Sequence, residues 1–114
     1  MKYRISVNIP IEKPEEKKLV QKILDIALQV GAGKVGNYSR VAMILYGYET
    51  WKSGKGSRPY KGTVGKITEA KSVRIEMQCP KEKLIDLVKK IRKVHLYEES
   101  VIEIIKLEEV FVRE

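Results

Sequence analysis

Two stretches of this 114-residue chain gather side chains able to do chemistry. The first is His95-Leu96-Tyr97-Glu98-Glu99, where an imidazole and two carboxylates sit close together. Imidazole and carboxylate are ligands for divalent cations, so His95, Glu98 and Glu99 are the candidate metal contacts, joined by Cys79 only if the fold brings it near. A structural zinc wants mostly Cys and His, so this set suits a weakly held cation, particularly at a subunit junction. On the plainer reading, His95 caps a helix, Tyr97 packs and the glutamates pair with lysines. The second stretch runs from Lys52 to Lys66 and carries Lys52, Lys55, Arg58, Lys61 and Lys66 beside Trp51 and Tyr60. Cations and aromatic faces on a glycine-rich backbone suit a phosphate or nucleotide, with Arg58, Lys61 and Lys66 as the anion contacts. The plainer alternative is a solvated loop, or one ordered by a neighbouring subunit.

Other chemistry is poorly supported. Gly31, Gly33 and Gly36 match the G-x-G-x-x-G spacing, but a dinucleotide site needs that pattern after a strand and at the start of a helix. Here it follows a helical pattern and opens a strand, so a helix stop with a close backbone crossing is expected instead. With one histidine, no P-loop and no nucleophile–base spacing, catalysis is not expected, and no catalytic residue is assigned.

The elements that must position these groups follow from hydrophobic period. Tyr3, Ile5, Val7 and Ile9 alternate with polar residues and predict a strand ended by Pro10. Pro14, Glu15 and Glu16 suit a helix start, and Leu19, Val20, Ile23, Leu24, Ala27 and Leu28 form one apolar face before Gly31. Val41 to Trp51 reads as a long strand, apolar on both faces and therefore central or covered twice. The basic loop reads as mobile, and a strand spans about residues 63–79, with Gly65 as a bulge or bend. Pro80 opens a second helix with Leu84, Ile85, Leu87, Val88 and Ile91 on its apolar face and Lys89, Lys90, Arg92 and Lys93 near its end. Val101 to Leu107 predicts a buried strand, and Val110 to Val112 a short last one.

That order is the split βαβ plan: α+β, ferredoxin-like βαββαβ, an antiparallel sheet with two helices on one face. The far face, to which Ile44, Tyr46 and Ile104 are assigned, is then apolar, which predicts an oligomer. The long strands also suit pairing with a neighbouring subunit.

Length fits a single domain, residues 1–114, and 43% hydrophobic residues suffice for a core. A net charge of +8 suits either nucleic acid or a thermophile-like surface crowded with Lys and Glu. The even spread of lysines among glutamates favours the second. RNA-recognition domains share the element order but place aromatics on central strands, and Val73-Arg74-Ile75-Glu76-Met77 has none, so nucleic acid is not the expected partner. No apolar run approaches the roughly 20 residues that cross a bilayer. The alternating start and lone Cys79 point to a cytoplasmic protein.

Four segments in series resemble a known family: Gly31-Ala32-Gly33-Lys34-Val35-Gly36-Asn37-Tyr38, Gly56-Ser57-Arg58-Pro59, Gly62-Thr63-Val64-Gly65-Lys66 continuing to Val73-Arg74-Ile75-Glu76, and His95-Leu96-Tyr97-Glu98-Glu99. They are similar to the small PII/CutA-like domain inserted into Nif-three-like proteins, also called GTP-cyclohydrolase-type-two-like. The chain departs from the family in its shorter Gly56–Pro59 motif and in Leu96 and Ser100 where the family has prolines. It also lacks the His-rich surroundings that would hold two metals. The resemblance implies a non-catalytic regulatory or ligand-binding module and a homotrimer, with a protein partner and with ligands at subunit clefts. The alternative it implies is divalent-cation tolerance or sensing like that of CutA.

Overall fold

The computed structural model describes residues 2–108. The expected strand Val110 to Val112 lies outside them. Strand β1 (Lys2–Pro10) leads to helix α1 (Pro14–Val30), then to strands β2 (Met43–Lys52) and β3 (Ile67–Pro80). A short 3-10 turn (Lys81–Lys83), helix α2 (Leu84–Val94) and strand β4 (Ile102–Lys106) follow. The sheet order is β2-β3-β1-β4 with every pairing antiparallel, as the ferredoxin-like plan requires.

The register explains the core. Ile5, Val7 and Ile9 on β1 oppose Met77, Ile75 and Val73 on β3, so both rows share one face. Ile23, Ala27, Leu87 and Ile91 from the helices close over that face, and all of these side chains are buried. Burying each large aliphatic contributes about 1.5–3 kcal/mol.

The glycine stretch acts as a helix stop and crossing. Gly31 is left-handed (φ 98°), and its N–H donates to the Ala27 and Leu28 carbonyls. Gly33 donates to the Gln78 carbonyl at 2.7 Å and accepts from the Val41 N–H at 2.8 Å, mooring the exit of α1 to β3. A Cβ at Gly33 would sit 3.0 Å from the Val41 carbonyl oxygen at φ +70°, so this close approach requires glycine.

Several expectations are corrected. The strand expected to be central, β2, lies at a sheet edge: Met43 is 61% and Tyr46 78% exposed. The strand expected to be buried, β4, is the opposite edge and is mostly exposed. Ile44, Tyr46 and Ile104 are not on the far face. They oppose Ile75, Val73 and Ile5, which places them on the helix side. The far face instead carries Ser6, Asn8, Arg74, Glu76 and Gln78, with Met43, Leu45 and Ile105 on its flanking strands. Apolar character along β2 and β4 therefore marks edges rather than a covered interior. Ile85, expected on the buried face of α2, is 72% exposed. Gly65 bends the loop ahead of β3 and is not a bulge within it.

Candidate functional site

The loop between β2 and β3, residues 53–66, is anchored to the start of α1. Glu16 occupies the third helical position, where its Oε1 accepts the N–H groups of Glu12 (2.8 Å) and Lys13 (2.9 Å). A glutamate here satisfies amides that the helix itself leaves unpaired. Its Oε2 lies 2.9 Å from Lys61 Nζ, which also sits 2.6 Å from Glu12 Oε1. Glu16 is fully buried. Burial alone would raise its pKa, but Lys61, the Lys13 amide and the Tyr60 hydroxyl outweigh that and hold it below the usual value. Lys61 is raised because Glu12 and Glu16 together outweigh its own desolvation.

Lys61, one of the three expected anion contacts, is thus ion-paired within the chain. Its ammonium is turned to α1 and neutralised there, not offered to an anion. Arg58 and Lys66 remain exposed on the loop, and the Arg58 backbone N–H donates to both Glu98 oxygens at 3.2 Å. The structure joins the two stretches that could do chemistry, since the loop and the segment after α2 meet.

His95 caps α2, with its N–H donating to the Ile91 carbonyl. Its Nδ1 accepts the Tyr97 N–H at 3.1 Å, which leaves Nε2 protonated to donate to the Asn8 carbonyl at 2.7 Å. Burial pushes its pKa down, so the ring is neutral and held in one tautomer. With both nitrogens engaged, His95 has no lone pair for a metal. No group of three His, Cys, Asp or Glu able to hold a metal forms among the described residues. The expected set of His95, Glu98 and Glu99 is thus not assembled there. Cys79 opposes Tyr3, at the other end of β1 from Asn8, and burial pushes its thiol up to about 11.

What does form is an aromatic pocket of about 360 Å³ between the loop and the segment after α2. The Tyr97 ring stands 5.6 Å from Trp51, edge-on, and 5.9 Å from Tyr60. Tyr97 and Ser53 line the same pocket, but their hydroxyl oxygens are closed off from its space and have no hydrogen-bond partner among the described residues. Glu49 completes the wall and is fixed by Asn8 Nδ2 (3.2 Å) and Ser72 Oγ (3.0 Å), while Arg74 Nε donates to Asn8 Oδ1 at 3.0 Å. Trp51 and Tyr60 were legible from the loop's composition. That Tyr97 joins them was not, because the contact spans distant parts of the chain.

An orphaned buried hydroxyl costs about 1–3 kcal/mol. Tyr97→Phe is therefore expected to raise stability by about 1 kcal/mol in urea unfolding of the ligand-free protein. A loss of stability would mean that the hydroxyl is satisfied in solution.

No protein-family model matches the chain. It is 31% identical over 106 residues to the GTP cyclohydrolase 1 type 2 homolog of Bacillus subtilis (strain 168), covering 93% of this chain and 27% of that protein. In structure it is similar to a Bacillus cereus protein related to NIF3, with a TM-score of 0.77, 22% identity, and 95% of this chain against 26% of that one. It is also similar to the periplasmic divalent cation tolerance protein CutA from Archaeoglobus fulgidus, with a TM-score of 0.64, 17% identity, and 97% of this chain against 88% of that one. The chain thus spans 27% of the length of its curated Bacillus relative. By fold it is a PII/CutA-like α+β domain, and in sequence and shape it resembles a short part of the NIF3-related proteins.

Proposed function

We propose that residues 1–114 act as a single, non-catalytic binding module of the PII/CutA-like type, working as a homo-oligomer and taking a small ligand in the Trp51–Tyr60–Tyr97 pocket. The observation that carries this reading is the pocket itself, about 360 Å³, where Trp51, Tyr60 and Tyr97 converge beside Glu98 and Glu99 between the loop and the segment after α2. A concave site with aromatic walls and a few polar groups is the ordinary form of a small-ligand site. Self-association is supported by the apolar edge strand β2, where Met43, Leu45, Tyr46 and Tyr48 are all exposed. A trimer is the expected number, and a protein partner would engage the exposed loop.

Native mass spectrometry of the purified protein tests both parts. The expected spectrum shows a multiple of the chain mass carrying a small adduct. A bare single chain at high concentration would overturn the reading.

Divalent-cation tolerance is the second reading, favoured by the name of the Archaeoglobus neighbour. Because His95 is engaged within the chain, such a site would need Glu98 and Glu99 together with ligands from a second copy. Calorimetry with divalent salts tests it, and no heat at millimolar metal would end it. No helix of the described residues is long and apolar enough to cross a membrane. Cytoplasmic placement is proposed from Cys79, a buried thiol that has no second cysteine to pair with.

A further inference from the structure

We propose that the outer face of the helix layer docks on an anionic lipid bilayer, with Lys18, Lys22, Lys89, Arg92 and Lys93 as the cationic contacts and Ile85 as the apolar one. Placement is the first ground. Helices α1 and α2 cover the same face of the sheet and pack against each other. The start of α2 lies beside the end of α1, since Lys83 Cε would stand 3.9 Å from a Cβ at Gly31. The two helices therefore run antiparallel, which sets the last turns of α2 beside the first half of α1. On α1 the inner side carries Leu19, Ile23 and Ala27, and Lys18, Lys22, Asp25 and Gln29 form the exposed outward stripe. On α2 the inner side carries Leu87 and Ile91, and Ile85, Lys89 and Arg92 form the exposed outward stripe, with Lys93 alongside. Lysines that are evenly spread along the sequence are thus gathered by folding.

Charge is the second ground. The turn before α2 and α2 itself hold Lys81, Lys83, Lys89, Lys90, Arg92 and Lys93 against Glu82 and Asp86. Asp86 is taken by Lys90 at 3.2 Å, and on α1 Asp25 is taken by Arg40 at 3.1 Å. None of the five proposed cations makes an ion pair among the described residues; Glu15 stands one turn before Lys18 without pairing to it. The helix dipole accounts for Arg92 and Lys93 at the end of α2, but not for Lys18 and Lys22 on the other helix. The net charge of +8 sets a second copy of this chain against such a face, so the occupant is anionic.

Ile85 decides which anionic occupant fits. It is exposed one turn from Lys89 on the same stripe. A phosphodiester backbone would take the cations and leave Ile85 in water. A protein interface favours Arg over Lys, and four of these five cations are lysines. An anionic bilayer takes both kinds of group. Clusters of roughly four to eight Lys and Arg on a helix face suit anionic headgroups, and an isoleucine beside them can enter the headgroup boundary. Two helices with axes about 8–10 Å apart also present a broad face rather than a groove.

The experiment sediments the full chain with vesicles of two parts phosphatidylcholine to one part phosphatidylserine. Pure phosphatidylcholine vesicles and a duplex DNA oligonucleotide are run beside them at the same ionic strength. The expected result is binding to the phosphatidylserine vesicles, weakened about 25-fold by Arg92→Gln with Lys93→Gln and about tenfold by Ile85→Ser. Lys55→Gln with Lys106→Gln removes the same charge outside the helix layer and should weaken binding by no more than about threefold. Equal loss from the two charge pairs would show attraction to net charge alone and overturn the inference. So would equal binding to pure phosphatidylcholine, or no binding to either vesicle. Tighter binding to the duplex that ignores Ile85→Ser would make a nucleic acid the occupant instead. A native mass that falls to a single chain in Ile85→Ser would make a second copy the occupant and overturn the inference as well.

Discussion

Lys61→Met is expected to unfold the protein at markedly lower urea than the parent, with a loss of about 3 kcal/mol at neutral pH. Glu16 is fully buried, and the Lys61 side chain is only 10% exposed. Removing the ammonium leaves Glu16 charged in the interior with two amides and the Tyr60 hydroxyl for company. Breaking a buried pair from one side costs far more than the pair's net worth, because the other charge stays desolvated. The pH profile makes the test specific. In the parent, the Glu16 pKa is held below its unfolded value, so its contribution is complete above that value, about 4.3, and is lost as pH falls through the folded pKa. In Lys61→Met, desolvation dominates and the folded pKa rises above the unfolded one. The sign then reverses: the penalty is full above the folded pKa and disappears as pH falls toward the unfolded value. A variant that loses stability evenly at all pH would show that Lys61 acts by packing alone.

Leu87→Ala is the second large effect, expected to cost about 3 kcal/mol, whereas Ile85→Ala on the same helix should stay within about 0.5 kcal/mol. Leu87 is 0% exposed at the heart of the core, and Ile85 is 72% exposed. Both belong to the apolar set that the helical period places together, and only the structure tells them apart. Urea unfolding at low protein concentration checks the contrast. If Ile85→Ala proves costly as concentration rises, that helix face is covered by another copy.

The acid limb of the stability curve carries a contribution from His95 too. Burial lowers its pKa, so the unfolded chain takes up a proton first as pH falls through about 6.5. Its contribution is complete above that pH and declines below it.

The fold was legible because its signals are local. The alternation from Tyr3 to Ile9, the face from Leu19 to Ala27 and the stop at Gly31 each imply a shape without reference to the rest of the chain. The assignment of faces was less secure. Ile44 and Ile104 could be given to a side only once their partners Ile75 and Ile5 were known. An apolar strand also reads the same whether it lies inside a sheet or at its edge, as β2 does.

The candidate site was legible as two stretches and illegible as one. Nothing in the spacing says that Tyr97 meets Trp51, or that Arg58 meets Glu98. Glu16 was placed correctly near the helix dipole, but its larger task, holding Lys61, depends on a residue from a different loop. His95 illustrates the opposite case. Its plainer role as a helix cap was already available from its position after α2, and the structure adds Asn8 as the acceptor that fixes its tautomer.

Glu16 has an evolutionary corollary. One of its oxygens trims the beginning of a helix and the other tethers a distant loop, so a single carboxyl group serves two masters. Neither region is free to drift on its own: a substitution that frays the first turn of α1 releases the loop, and a change of length right beside Lys61 strands the helix start. Insertions and deletions should therefore accumulate in the exposed stretch around Lys55, outside the tether, where the chain can change length without either tenant noticing.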